Sequence, residues 1–234
     1  MYWASGGGIL LVIFPVGFDE KFIVRALVRK RECLDGLEEG DKLVAVVPED
    51  YEREQKTVNA IKAIESIASP IVGEGNIVVL EVPMENEEIA LTIERAIEKN
   101  LTPDRIVLAV LSGGMRPLLV ATLLALLGIK DARVIVESDF ENLSGHISLE
   151  LGSFLAPHNR RWEKILCGLL EGKSVRTVAR ELGVSPATIS NELKGMARYH
   201  LVRAEKPDGR IPKYFVTRAG KTYLKIMESE CIET

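Results

Sequence analysis

Ile9-Leu10-Leu11-Val12-Ile13-Phe14-Pro15-Val16-Gly17-Phe18-Asp19-Glu20 is the stretch that decides the fold. Its first six residues form an unbroken apolar, β-prone run, as a strand buried on both faces requires. Pro15 and Gly17 end that run, and residues 20–31 then read as a helix. The alternation recurs. Residues 43–47, 77–82, 106–110 and 134–137 are further strand candidates, and residues 51–69, 87–100 and 115–127 are of helical length. In the first of these helices Val58, Ile61, Ile64 and Ile67 fall at helical spacing. Strand–helix alternation of this kind predicts a doubly wound parallel α/β sheet. Residues 145–151 add an edge strand after a turn at 139–144.

Beyond Ala156-Pro157 the pattern becomes helix-rich and the charge changes sign. The chain has 234 residues and a formal net charge of −4, which on its face argues against a nucleic-acid partner. Residues 1–156 hold 15 Lys and Arg against 25 Asp and Glu, or −10, whereas residues 157–234 hold 15 against 9, or +6. The global figure describes neither half. Two domains are expected, 1–156 and 157–234.

In the basic half, Trp162, Ile165, Leu166, Leu169 and Leu170 lie on one face of a helix spanning 158–172. Ser174 can cap a second helix, 175–182, and Gly183 can close it. Ser185 can cap a third, with Pro186 at its first position. Ala179, four residues before Gly183, and Ile189, six after it, supply the small crossing residue and the apolar anchor of a helix-turn-helix. Val178, Leu182, Val184 and Leu193 complete its core. The candidate DNA contacts are Ser174, Arg176, Thr177 and Ser185 near the helix starts, and Ala187, Thr188, Ser190, Asn191 and Lys194 on the outward face of the third helix. Two short strands, 202–206 and 213–217, flank Pro207-Asp208-Gly209 and predict a hairpin whose tip carries Lys206, Arg210 and Lys213, placed for a DNA backbone. Residues 218–227 form a closing helix. The module resembles the winged helix-turn-helix of prokaryotic regulators, which implies binding to double-stranded DNA. A winged helix used only for protein contacts is the alternative, and the +6 balance weighs against it.

In open α/β sheets ligands bind beyond the carboxyl ends of the strands, where strand order reverses. Two loops stand there: the Pro15–Glu20 segment, and Leu111-Ser112-Gly113-Gly114-Met115-Arg116-Pro117 after the fourth strand. If the order is 3-2-1-4-5, both flank one crevice. Gly113-Gly114 precedes a helix whose free N–H groups and dipole attract phosphate, and Arg116 adds a charged donor. A tight strand–helix turn explains the same two glycines. The loop is neither a Walker A loop nor a G-x-G-x-x-G fingerprint.

The whole pattern, V-G-F-D-E after strand one, S-G-G-M-R-P after strand four and a C-terminal winged helix, resembles the archaeal CRISPR-associated regulators of the CARF (CRISPR-associated Rossmann fold) class. The resemblance implies a Rossmann-like doubly wound parallel sheet followed by a smaller winged helix-turn-helix domain. It further implies a homodimer whose paired N-terminal domains bind a cyclic oligoadenylate, expected to be cyclic tetra-adenylate, while the winged helices bind promoters of CRISPR-associated genes. Carried onto this chain, Gly17, Phe18 and Asp19 would line the floor of the site. Ser112, Gly113, Gly114, Met115 and Arg116, followed by Pro117, would hold phosphate and ribose. Residues 1–8 have no place in that pattern. Some CARF domains cleave their ligand, often with a lysine, and neither loop contains one. A ring nuclease therefore stays as an alternative, as does a DNA-binding protein whose N-terminal half only dimerises.

Other chemistry is thinly represented. His146, His158 and His200 are isolated, so no metal site and no cofactor beyond the effector is expected. Cys33, Cys167 and Cys231 are scattered and read as unpaired thiols of a reducing, cytoplasmic setting. Residues 106–129 are long enough to span a bilayer, yet Ser112-Gly113-Gly114 and Arg116-Pro117 interrupt them. A buried strand followed by a buried helix, with no membrane partner, is the expectation.

Overall fold

A computed structural model describes residues 9–17, 19–31, 36–84, 88–205 and 212–232. The chain divides into two compact units, one ending at Leu149 and the other beginning at Glu150.

The first unit is a six-stranded sheet in the order β3-β2-β1-β4-β5-β6, with β1 Leu10–Pro15, β2 Lys42–Pro48, β3 Ile77–Val82, β4 Ile106–Val110, β5 Arg133–Asp139 and β6 His146–Glu150. The pairs β3·β2, β2·β1, β1·β4 and β4·β5 are all parallel. This is the doubly wound sheet that the apolar runs predict, with β6 added at the edge. The central strands β1 and β4 are buried along their whole length, which is why they read as unbroken apolar runs.

Helices α1 Lys21–Leu27 and α2 Gln55–Val72 pack on one face, over Leu10, Val12, Phe14 and Val16. Helices α3 Glu88–Asn100 and α4 Arg116–Gly128 lie against each other on the opposite face. The apolar stretch 106–129 is thus β4, a loop and α4. Among the described residues no helix is long and apolar enough to cross a membrane.

Two elements differ from expectation. Helix α1 stops at Leu27 rather than Arg31, because Arg29 and Arg31 leave it to pair with acids on β5. Residues 51–53 form a 3₁₀ turn set by Asp50 at φ 61°, so α2 begins only at Gln55.

The second unit starts with a short helix, α5 Gly152–Leu155, which the sequence reading lacks. It continues through α6 Arg160–Leu170, α7 Val175–Glu181, α8 Pro186–Arg198, β7 Val202–Glu205, β8 Lys213–Val216 and α9 Arg218–Ile226. Trp162, Ile165, Leu166, Ile189, Leu193, Met196 and Tyr223 form its core. Cys167 on α6 and Cys231 near the C-terminal end are joined in a disulfide. That corrects the expectation of unpaired thiols: 64 residues separate the two in sequence, but α9 and the turn after it bring Cys231 back onto α6.

Candidate ligand site and nucleic-acid interface

Strands β1 and β4 are in register from Leu10 opposite Ile106 to Ile13 opposite Ala109, so their following loops emerge side by side. The loops touch backbone to backbone. A Cβ at Gly17 would land on the carbonyl oxygen of Gly113, and one at Gly114 would come within 2.7 Å of Pro15 Cβ. Gly113 sits at φ +72°, with Phe22 of α1 beneath it. The glycines therefore close one loop on the other, which gives the tight-turn reading of Gly113-Gly114 a structural basis and leaves the pair at the switch point between β1 and β4.

Helix α4 starts from Met115 with no side-chain cap, and Pro117 occupies its first turn. Its leading N–H groups are left for solvent or a ligand. Arg116 is exposed and makes no ion pair among the described residues. Ser112, by contrast, is 4% exposed, and its Oγ accepts the Asp139 N–H at 2.8 Å. It fastens the loop to β5 from below rather than offering a hydroxyl from above. Ser138 Oγ repeats the tie in the other direction, donating to the Leu111 carbonyl at 2.9 Å.

Asp19 is half-buried and takes the Lys21 ammonium at 2.5 Å and the Lys21 N–H at 3.1 Å. The hydrogen bond from Lys21 holds its carboxyl below the ordinary value. Lys21 is the residue the sequence reading passed over. It lies one position beyond V-G-F-D-E, and its Nζ stands 5.0 Å from the Phe22 ring centroid. Phe18 lies outside the described residues.

Beside this crevice is a charge cluster. Arg29 bonds Glu137 at 2.8 Å and Asp139 at 2.5 Å, Arg31 bonds Glu137 at 2.7 and 2.8 Å, and Arg25 reaches Asp139 at 3.7 Å. Glu137 and Asp139 are fully buried there. Burial alone would push the Glu137 carboxyl up, but the hydrogen bonds and charges of Arg31 and Arg29 carry it below its ordinary value. Two of the acids behind the net −10 are thus neutralised in place.

In the second unit the capping reads as expected. Ser174 Oγ accepts the Thr177 N–H, and Ser185 Oγ accepts the Thr188 N–H, both at 3.1 Å. Each serine hydroxyl also pairs with the threonine hydroxyl at 2.9 Å. Gly183 at φ +66° turns the chain between α7 and α8, and the Val184 N–H returns to the Ala179 carbonyl at 3.0 Å.

On α8, Ala187, Asn191 and Lys194 are exposed while Thr188 and Ser190 are half-buried. Ser190 Oγ bonds back to the Pro186 carbonyl at 3.0 Å. Arg198, one further step along the same stripe, is also exposed and was missed. Arg176 is exposed on α7. Glu192, the acid of this helix, is held by Trp162 Nε1 at 2.6 Å and Arg161 at 3.2 Å. Those bonds turn it away from the outward face and lock α8 onto α6.

Strands β7 and β8 pair antiparallel from Val202 opposite Val216 to Glu205 opposite Lys213, which is exposed. Lys206 and Arg210 lie outside the described residues.

A parallel sheet whose strand order reverses between β1 and β4, followed by a helix-turn-helix, agrees with the comparisons to known families. Residues 10–150, from β1 through β6, match the family described as the Csa3 CRISPR-associated Rossmann-like domain. The chain belongs to that family. Residues 152–195, from α5 into α8, match a helix-turn-helix domain. No curated protein matches the sequence. A Csa3-type domain joined to a helix-turn-helix is the make-up of a CRISPR-associated DNA-binding regulator. The two matches meet at Glu150 and Gly152, where the chain passes from one compact unit to the other.

Proposed function

We propose that the Csa3-type domain senses a cyclic oligoadenylate, cyclic tetra-adenylate in particular, and that the helix-turn-helix binds promoter DNA in response. The observation that carries the reading is the uncapped start of α4 beside Arg116, exposed and without an ion pair among the described residues, packed against the loop after β1. Backbone N–H groups at a helix start together with a free guanidinium suit a phosphodiester.

A homodimer fits this reading. Helix α4 is apolar nearly all round, and Val120, Leu123, Leu124 and Leu127 form an exposed stripe at i, i+3, i+4 and i+7. Val120 is 59% and Leu124 55% exposed, a surface that a second copy would cover. Pairing through α4 brings two crevices to one interface, as a two-fold ligand requires.

A second reading, slow cleavage of the ring, is favoured by Lys21. Attack of a ribose 2′-OH on the adjacent phosphodiester gives a 2′,3′-cyclic phosphate and a free 5′-OH. A lysine at the crevice would stabilise the charge that develops on the phosphoryl oxygens.

Calorimetry with cyclic tetra-adenylate tests the first reading, and chromatography of the same mixture for linear fragments tests the second. Absence of binding heat with every cyclic oligoadenylate refutes both. Arg116→Ala should weaken nucleotide binding by about tenfold, the value of a charge-assisted hydrogen bond, and leave DNA binding intact. Equal loss of both would contradict two separate sites.

A further inference from the structure

The cluster of Arg25, Arg29, Arg31, Glu137 and Asp139 has two unlike parts. Arg29 and Arg31 have side chains only 11% and 10% exposed and grip the acids through short bonds. Arg25 is 41% exposed and stands 3.7 Å from Asp139. Its one hydrogen bond among the described residues runs from Nη1 to the carbonyl of Leu143, at 2.9 Å.

Leu143 is itself in the left-handed region, at φ 59°, within the turn that joins β5 to β6. A leucine there is held at a cost that the rest of the turn must offset. The turn is closed by Phe140 N–H on Gly145 O at 3.1 Å and Leu143 N–H on Phe140 O at 2.8 Å, and Arg25 ties it to α1.

Asp139 stands at the centre. Its N–H holds Ser112, its Oδ1 meets Arg29 and Arg25, and its Oδ2 is buried with no hydrogen-bond partner among the described residues. A buried carboxylate oxygen left without a donor is costly, so Asp139 is the least satisfied member of the cluster. Arg25 lies one helical turn beyond Phe22, the residue under Gly113, so its side chain is on the face of α1 turned to the crevice.

We propose that Arg25 is the switch arm of the sensor: an anionic nucleotide in the crevice draws its guanidinium away from Leu143 and Asp139, and the β5–β6 turn is released. The proposal rests on the nucleotide-sensing reading above. Arg29 and Arg31 keep β5 in place during the exchange, so the change is confined to residues 140–149. Strand β6 runs from that turn to Glu150, the first residue of the DNA-binding unit. Binding energy at the crevice thereby reaches the joint between the two units along one short strand. The coupling needs two states with different nucleotide affinity, and Arg25 bound to Leu143 or to phosphate supplies them.

The test is amide hydrogen exchange on the full-length protein with and without cyclic tetra-adenylate, beside calorimetry of the same samples. The wild-type protein should exchange residues 140–149 at least about tenfold faster when nucleotide is bound, the opening expected from loss of one charged hydrogen bond. Arg25→Ala, its fold verified by circular dichroism, should show that fast exchange without nucleotide and bind nucleotide about tenfold more weakly. Binding heat with unchanged exchange at 140–149 overturns the switch and leaves the sensing reading standing. An Arg25→Ala protein with wild-type exchange and wild-type affinity does the same. Absence of binding heat in the wild-type protein overturns the sensing reading and the switch with it.

Discussion

Breaking the Cys167–Cys231 bridge is the sharpest test of how the DNA-binding unit is held. The two cysteines are 64 residues apart, and the closed loop contains α7, α8, both strands of the wing and α9. Closing a loop of that length removes chain entropy from the unfolded state worth about 4 kcal/mol at 25 °C. A domain of ordinary size is stable by only about 5–15 kcal/mol, so the bridge supplies a large share. Cys231→Ser should lower the melting temperature of the helix-turn-helix unit by roughly 15–30 °C, at 4–8 °C per kcal/mol for a small domain. Reductant should do the same to the wild-type protein and nothing to the variant. A thiol titration checks the starting state: reduction should release two thiols beyond those titrated before it. A shift below about 1 kcal/mol in urea unfolding would refute the reasoning, because the loop-closure contribution could then not be present.

Three further outcomes follow from the geometry. Gly17→Ala should destabilise the sensor unit by about 1–3 kcal/mol, since its Cβ has nowhere to go but the Gly113 carbonyl; Gly36→Ala, whose nearest neighbour would stand at 3.5 Å, is the control in the same denaturation series. Glu137 is held below its ordinary value, so its contribution is complete above the unfolded pKa near about 4.3 and is lost as pH falls through the folded one. Urea midpoints measured between pH 7 and 3 should show that acid limb, and Glu137→Gln should lower stability at pH 7 and flatten the limb, so that the two proteins converge as pH falls. On α8, Lys194→Ala should weaken DNA binding uniformly and reduce the salt slope by about 1, whereas Asn191→Ala should relax the preference at one base position by about 1–3 kcal/mol in a competition assay.

The parts legible in the sequence are those that local chemistry dictates. Unbroken Val, Ile and Leu runs gave the parallel strands, whereas the order 3-2-1-4-5 entered only as the common case and is settled by the strand pairing itself. Ser174, Ser185, Pro186 and Gly183 marked the helix-turn-helix because caps and left-handed turns need particular residues within three or four positions.

Pairs joined only by the tertiary fold left no such trace. Arg29 and Arg31 meet Glu137 across 108 and 106 residues, and nothing in either segment's periodicity points to the other. A separation of 64 residues likewise hid the disulfide, whose cysteines read as scattered, unpaired thiols. Lys21 was missed for a different reason. It opens a helix and was absorbed into that helix's pattern, although its ammonium turns back onto Asp19. Ser112 was identified as part of the site, but only its neighbour on β5 reveals that its hydroxyl is already engaged.

The contact between the loops after β1 and β4 constrains how this site can change over evolutionary time. Gly17, Gly113 and Gly114 are each fixed by an atom of the opposite loop or of α1, so no one of them can acquire a side chain unless its counterpart moves as well. A new ligand preference is therefore more readily reached through side chains that project from the rim, at positions 19, 21, 115 and 116, than through a redrawn backbone. Among relatives, variation should concentrate at those four positions, while the glycine joint is retained or lost as a unit.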